Sequence, residues 1–211
     1  GRDGLLRLWD AATCQPVGRV MPHGSAVSSA AWSPDGKHLA AAAIGAPVVR
    51  LWDVASPADG MHRVRTEAWP KGWGEVVVAP DASLVALSQD DGRVQIHSSS
   101  DGAARVMIIR QAASGLTHAA FNRNASRILA SGQDGVVRVW ESGSGASAGP
   151  PYSAGPDIRA LLWGVRDDRA AVFVGEREVH LIDPLRGVIV GAPIPNGDAS
   201  GLGAFSEDGA W

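Results

Sequence analysis

The sequence predicts an all-β fold made of one repeated unit of short antiparallel strands. The first observation behind this prediction is a recurring run in which an apolar stretch ends on Trp-Asp or on a related pair. The last large residue of the run, or the residue that stands in its place, recurs at Trp9, Trp52, His97, Trp140 and Ile182. A period of somewhat more than forty residues indicates that one supersecondary unit is copied along the chain.

A second marker has the same period as the first. An aromatic residue or valine precedes a tight-turn signal at Trp32, Val78, Phe121, Trp163 and Phe205. The turn 33–36 reads Ser-Pro-Asp-Gly, which favours a type I turn because Pro presets φ at the second position and Gly is tolerated at the fourth. Two independent markers in one register therefore predict a repeat array.

Each unit is predicted to contain four short strands. In the first complete unit these run over 27–32, 38–44, 48–53 and 62–66. The runs are rich in Val, Ile, Leu and Ala and are bounded by Gly, Pro, Asp and Ser, as strands are. No stretch keeps a helical periodicity over about twelve residues. A small sheet with two apolar faces must stack on its neighbours, so consecutive units are expected to pack against one another.

The runs that end in Trp9-Asp10, Trp52-Asp53 and Trp140-Glu141 resemble the WD40 repeat family, whose repeats form the blades of a β-propeller. The resemblance implies an open arc of four complete blades, each of four antiparallel strands, with a partial blade at either end. The complete blades are expected at about 22–67, 68–110, 111–153 and 154–195, and the partial blades at 1–21 and 196–211.

The positions where the chain starts and stops within this pattern lead us to expect a fragment of a longer propeller. The alternative is a closed ring, in which the leading strands and the trailing strand form one composite blade. That composite blade would lack its second strand. The excess of Arg over Lys and the abundance of Ala fit a GC-rich genome and predict an array of the bacterial type.

Family members often tie each blade together with a hydrogen-bonded loop His, strand Ser or Thr, turn Asp and strand Trp. The resemblance gives structural roles of this kind to Trp9, Asp10, His23, Trp52, Asp53, Ser131, Asp134 and Trp140. No repeat holds a complete set, since Ala46 replaces the turn Asp in the blade of Trp52 and Ala112 replaces the His in the blade of Trp140. Apolar packing between blades is therefore expected to supply most of the stability.

The composition limits the classes of binding partner and the cell compartments that we expect for this chain. The formal net charge is −3 and the charges are interspersed, which does not indicate binding to nucleic acid or to an anionic membrane. No apolar run reaches the roughly 18 residues that a membrane span requires. The lone Cys14 excludes an intrachain disulfide and favours a reducing compartment, so we expect a cytoplasmic location.

No motif of the sequence stands in the context that catalysis or cofactor binding requires. The six histidines form no His-x-x-x-His pair, and the single cysteine excludes a Cys-x-x-Cys pair. The Gly-rich stretch 143–149 contains a Gly-x-Ser-x-Gly pattern at 145–149, but it lies in a predicted loop between third and fourth strands with no helix after it, so it is not the strand-to-helix turn of a nucleophilic serine. The same stretch lacks the Gly-Lys-Ser/Thr end of a phosphate-binding loop. The sequence therefore predicts no catalytic residue, no metal ligand, no cofactor and no enzymatic activity.

The segment 65–74 is the most unusual part of the chain. In the family, the loop between the fourth strand and the next first strand opens onto the face that usually receives partners. Trp69 is flanked by Glu67 and Lys71, a combination that is typical of protein-binding hot spots. The alternative is that Trp69 fills the place of the missing loop His. Together with Asp90 and Gln133 in second-to-third-strand turns, these residues are predicted to bind a partner.

The function predicted from these features is that of a non-enzymatic scaffold that docks a protein or peptide on the loop face. One alternative is the sensor or partner-docking region of a larger bacterial signalling ATPase or Ser/Thr kinase polypeptide. Another is an enzyme built on a propeller, which would need carboxylates or histidines that converge at the central opening. The corresponding loop positions hold Ile44, Asp90 and Gln133 and show no such excess.

Overall fold

The computed structural model describes residues 1–32, 36–43, 48–54, 61–65, 73–81, 83–89, 92–98, 109–110, 116–164 and 166–196. Its strands are β1 (Leu5–Trp9), β2 (Pro16–Pro22), β3 (Val27–Trp32), β4 (His38–Ala43), β5 (Val48–Asp53), β6 (Met61–Arg65), β7 (Trp73–Val78), β8 (Leu84–Gln89), β9 (Arg93–Ser98), β10 (Ile109–Arg110), β11 (Leu116–Phe121), β12 (Arg127–Gly132), β13 (Val136–Glu141), β14 (Tyr152–Ser153), β15 (Ile158–Trp163), β16 (Ala170–Val174), β17 (Glu178–Asp183), β18 (Val188–Ile189) and β19 (Ile194–Pro195). Helix is absent from the described residues, so none of them forms a helix that could cross a membrane.

The strands form antiparallel sheets whose strands follow one another in chain order. The first blade is β3-β4-β5-β6, the second β7-β8-β9-β10 and the third β11-β12-β13-β14. The fourth blade is β15-β16-β17 followed by β18 and β19, which both pair with β17. Strands β1 and β2 form a separate two-stranded sheet. The first strands β3, β7, β11 and β15 lie next to one another in succession, which confirms the predicted all-β array of four-stranded blades.

Both sequence markers fall where the repeat predicts them. Trp52, Trp140 and Ile182 each stand one residue before the end of a third strand, opposite Leu39, Ile128 and Ala170 of the second strand. Trp9 ends β1 in the same frame. The first strands end on Trp32, Val78, Phe121 and Trp163, whereas Phe205 lies outside the described residues.

The core lies between blades. Trp140 keeps only 7% of its surface exposed and belongs to a buried cluster with Val94 and Ile96 of the second blade. Ile182 of the fourth blade packs with Leu129 and Val139 of the third in the same way. Trp140 and Ile182 therefore each pack onto the preceding blade, and burial of this kind stabilises the array.

The exception is Trp9, which is 60% exposed although Trp52, in the same frame, is 5% exposed. Leu6 and Leu8 of the same strand do pack against Trp52 and Leu39 of the first blade. The two-stranded sheet is therefore covered on one face, while the face that carries Trp9 is open in the described part of the chain.

Candidate partner-binding face

Two kinds of connection meet at one end of the sheets: the loops from a fourth strand to the next first strand, and the turns from a second to a third strand. We call this end the loop face. Its described parts are residues 1–4, 23–26, 133–135, 154–157 and 175–177. We call the other end the opposite face, and its described parts include 10–15, 122–126, 142–147, 164, 166–169 and 184–187.

Backbone packing holds the loops and turns of the loop face together. Gly135 has φ +69°, and a Cβ at this position would overlap the carbonyl of Gly155. The amide of Ala154 donates to the Gly135 carbonyl at 2.9 Å. Gly4 has φ +74° and accepts a hydrogen bond from the amide of His23 at 2.7 Å. A glycine is therefore needed directly after the turn Asp, at Gly4 and Gly135, both because the backbone is left-handed there and because the next loop comes close.

An Arg of the same blade binds the turn Asp on this face. One carboxylate oxygen of Asp134 accepts from the amide of Val136 at 3.1 Å, and the other accepts from Nη2 of Arg138 at 3.0 Å. Asp3 and Arg7 repeat this arrangement at 2.8 Å, and the hydrogen bond from Arg7 is the largest cause that lowers the pKa of Asp3. An Arg four residues after the turn Asp is visible in the sequence, and this recurrence could have revealed the pair.

His23 is a buried structural residue at the base of the loop face. Its Nε2 lies 3.1 Å from the carbonyl oxygen of Ala41, and its ring lies 6.1 Å from that of Trp52 between centroids. Its Nδ1 is buried without a hydrogen-bond partner among the described residues. Burial is the main cause that lowers the pKa of His23, which keeps the ring neutral in the folded chain.

Three other residues with a predicted structural role, Asp10, Ser131 and Asp53, lie at different places in the fold. Oδ1 of Asp10 accepts hydrogen bonds from the amides of Ala12 and Thr13, at 3.0 and 2.7 Å, and so shapes the turn after β1. Ser131 is fully buried in β12, and Asp53 ends β5.

An open cleft of about 510 Å³ lies on the loop face of the fourth blade. It is lined by Pro156, Asp157, Arg159, Val174, Gly175, Glu176, Arg177 and Glu178. Nε and Nη2 of Arg159 reach the two carboxylate oxygens of Asp157 at 2.8 and 3.0 Å. Asp157 has φ +69°, and its carbonyl accepts from the amide of Gly175 at 2.8 Å, next to the paired residues Ile158 and Val174. This paired contact fixes the plane of a guanidinium group at the surface.

A β-bulge places Arg159 in the cleft. The register between β15 and β16 shifts between Ile158 and Ala160, so Arg159 has no opposite residue. The first strands β3, β7 and β11 show a register shift at the corresponding point. A bulge re-aims the side chain that it carries.

A chain of hydrogen bonds joins the third and fourth blades beside the cleft. The hydroxyl of Tyr152 lies 2.9 Å from Nδ1 of His180, and Nε2 of His180 lies 3.2 Å from a carboxylate oxygen of Glu178. Burial raises the pKa of Tyr152, so the phenol stays protonated near neutral pH. His180 stands in the frame that Arg50 and Arg138 occupy in other blades. The side chains of Tyr152, His180 and Glu178 therefore join the third and fourth blades.

The structure describes one of the five residues predicted to bind a partner. Gln133 is exposed in the turn between β12 and β13, next to Asp134. Glu67, Trp69, Lys71 and Asp90 lie outside the described residues, so their role stays a prediction. The residues of the cleft were not predicted, although 176–177 stand in the same kind of turn as Gln133. In the described part of the chain, no group of three or more His, Cys, Asp or Glu residues is arranged to hold a metal ion.

Comparison with known proteins supports the repeat at two places. The WD40 family model, described as "WD domain, G-beta repeat", matches residues 14–53 and 105–141. The computationally designed Ika8 protein, known from a crystal structure, superposes with a TM-score of 0.71 at 17% identity. The superposition covers 89% of this chain and 55% of that one, and it shows similarity of fold.

Two curated proteins are similar in sequence. Autophagy-related protein 16 of Arabidopsis thaliana is 27% identical over 139 residues, which is 65% of this chain and 27% of that protein. The SIR4-interacting protein SIF2 of Saccharomyces cerevisiae is 24% identical over 217 residues, which is 98% of this chain and 40% of that protein. The chain therefore spans less than half of the length of either relative. Both relatives are eukaryotic, and the bacterial origin suggested by composition stays a prediction.

Two segments of the chain are therefore similar to WD40 repeats. WD40 repeats generally mediate protein–protein interaction, and proteins built from them are typically non-enzymatic scaffolds.

Proposed function

We propose that this chain is a non-enzymatic scaffold that docks a protein or peptide on its loop face. The observation that carries the proposal is the cleft of the fourth blade, where a bulge turns Arg159 into a lining that contains both acidic and basic groups. A volume of about 510 Å³ lies in the range of about 300–1,000 Å³ that is usual for ligand sites.

The cleft suits a polar peptide. Arg159 is held by Asp157, and Glu176, Arg177 and Glu178 line the same cleft. A side chain that is already held in place loses less conformational entropy when a partner binds. Charges of both signs at different places in the lining also favour one orientation of the partner over the other.

The enzymatic alternative has one candidate arrangement among the described residues, the chain Tyr152–His180–Glu178. Both ring nitrogens of His180 already have partners in this chain. A general base needs a nitrogen within reach of a substrate proton. Both ring nitrogens are also partnered in a Ser-His-Asp triad, so the nature of the partner decides. Here burial raises the pKa of Tyr152, which disfavours the phenolate that would act as nucleophile, and the three residues come from two blades, which favours a link between blades.

We also propose that the scaffold acts in the cytoplasm and forms the partner-docking part of a longer polypeptide. The exposed, unpaired Cys14 supports a reducing compartment. The greater length of both relatives supports a longer polypeptide. The name of the yeast relative, which states an interaction with SIR4, supports a role in protein binding.

Two charge reversals on opposite ends of the fourth blade test the docking surface. Arg177 lines the cleft, whereas Arg186 is 81% exposed on the opposite face. Wild-type chain, Arg177→Glu and Arg186→Glu are immobilised in equal amounts, and the proteins that each captures from lysate are quantified by mass spectrometry. Thermal melts confirm that both variants remain folded.

We expect at least one protein to be captured about tenfold less by Arg177→Glu and normally by Arg186→Glu. Capture that is unchanged by Arg177→Glu, or reduced equally by both variants, would contradict docking at this cleft. Gln133→Arg, on the third blade, then shows whether the docking surface extends beyond the cleft.

A further inference from the structure

We propose that the loop-face cleft of the fourth blade binds a lysine or arginine side chain of the docked partner. The charged end of that side chain lies at Glu176 and Glu178, and its aliphatic stem lies on Pro156 and Val174, all of which line the cleft. This binding mode rests on the proposed function and adds to it the chemical class of the partner residue.

Two residues of the cleft lining connect it to the third blade. Val174 packs against the buried apolar cluster that the third and fourth blades share. Glu178 is joined through the ring of His180 to the hydroxyl of Tyr152, which belongs to the third blade. The lining is therefore positioned by contacts between two complete blades.

The charges in the lining leave an excess of negative charge. The acidic residues are Asp157, Glu176 and Glu178, and the basic residues are Arg159 and Arg177. The carboxylate of Asp157 is already engaged by the guanidinium group of Arg159, at 2.8 and 3.0 Å. The carboxylates of Glu176 and Glu178 then stand against the single guanidinium group of Arg177. The lining should therefore attract a positively charged group.

Glu178 is held in place by a buried residue while its side chain remains open to a partner. One of its carboxylate oxygens lies 3.2 Å from Nε2 of His180, and Nδ1 of the same ring lies 2.9 Å from the hydroxyl of Tyr152. His180 is buried, whereas the side chain of Glu178 is 56% exposed. A carboxylate can accept from several donors, so Glu178 can bind a cation while it keeps His180. Because the carboxylate is already ordered, it loses less conformational entropy when the cation binds.

The apolar part of the lining suits the stem of a long basic side chain. Pro156 and Val174 supply apolar surface, and Gly175 between Val174 and the turn has no side chain that would fill the cleft. Lysine and arginine lay their methylene stems along apolar surface and keep the charged end in polar surroundings. A small inorganic cation would use the carboxylates alone, and an acidic side chain would meet the negative excess. A long basic side chain therefore matches both parts of the lining.

Capped tripeptides with different central residues test the site directly. Gly-Lys-Gly and Gly-Arg-Gly carry a basic side chain, Gly-Glu-Gly carries an acidic one, and Gly-norleucine-Gly carries the stem without the charge. Each tripeptide is titrated at millimolar concentrations into the ¹⁵N-labelled full chain, and binding is followed through the amide chemical shifts. Both basic tripeptides should shift the amides of Asp157 and of residues 175–178 and reach saturation, whereas the other two should leave these amides unchanged.

Variants of the protein separate the cleft from a general effect of charge. Glu178→Gln and Glu176→Gln should each weaken binding of the basic tripeptides about fivefold, which is at the upper end for one exposed ion pair. Glu176→Gln leaves the contact between Glu178 and His180 in place, so it tests the charge alone. Asp168→Asn is the matched control, because Asp168 is a 58% exposed acid on the opposite face of the same blade. This variant should bind as the wild type does, and the amide spectra show whether each variant keeps its fold.

The inference is overturned if neither basic tripeptide shifts these amides, if the norleucine tripeptide binds equally well, or if both Gln variants bind as tightly as the wild type. Binding of the acidic tripeptide at the same amides would assign the cleft to an anionic group at Arg177 and would also overturn it. In each of these cases, loss of lysate capture by Arg177→Glu would still support docking at the cleft. Unchanged capture would instead contradict the proposed function itself.

Discussion

Replacing Trp140 by alanine should destabilise the chain far more than replacing Trp9, although both residues stand in the same frame of the repeat near the end of a third strand. A buried Trp removes about 150–250 Å² from water, which corresponds to roughly 4–6 kcal/mol at about 25 cal/mol per Å². Trp140 is 7% exposed, so Trp140→Ala should lower the free energy of unfolding by about 3–5 kcal/mol. Trp9 is 60% exposed, and Trp9→Ala should cost no more than about 2 kcal/mol.

Urea denaturation of the wild type and the two variants measures this difference through the transition midpoints, with the slopes compared to detect any change in cooperativity. The two variants are well matched because the residue type, the position in the repeat and the substitution are the same, and only the exposed fraction of the Trp side chain differs. Equal losses would refute the argument that packing onto the preceding blade stabilises the array. A larger loss for Trp9→Ala would show that its open face is covered in solution.

Three further substitutions test local features of the fold. Gly135→Ala should lower stability by about 1–3 kcal/mol because of its positive φ and the overlap of the new Cβ with the neighbouring loop, whereas Gly143→Ala, with nothing within 4 Å, should be nearly neutral in the same melts. Because burial lowers the pKa of His23, the neutral ring stabilises the folded chain fully above its ordinary pKa of 6.5, and this stabilisation is lost as the pH falls through the lower pKa of the folded state. His23→Asn should therefore flatten the fall in the free energy of unfolding measured from pH 7 to pH 5. Asn122 is fully buried and donates to Asp167 of the next blade at 3.2 Å, so chemical denaturation of Asn122→Ala should show a loss of about 1–3 kcal/mol, and a neutral result would mean that this contact between blades is dispensable.

The strand framework could be predicted from the sequence because its signals are local and periodic. Turn residues follow Trp32, Phe121 and Trp163 in the sequence, and β3, β11 and β15 end at these residues. The repeat supplies the same information several times, so one weak copy is supported by the others. This is why Ile182 could be placed in the third strand although it is not aromatic.

The candidate site could not be predicted to the same extent because it depends on tertiary context. The sequence gives Trp9 and Trp140 the same local setting, and only the packed structure shows that one is open and the other covered. The position of Arg159 depends on a bulge, and the pair that it forms depends on the left-handed backbone of Asp157. Neither feature has a distinct signal in one sequence. The pairing of His180 with Tyr152 across two blades is likewise set by the packing of the blades.

Hydrogen–deuterium exchange of the chain with and without a captured partner tests most directly whether docking occurs on the loop face. Peptides that cover 133–135, 154–157 and 175–177 should gain protection when the partner binds, whereas peptides that cover 142–147 and 184–187 on the opposite face should not change. Protection confined to the opposite-face peptides would contradict the assignment of the loop face as the binding surface.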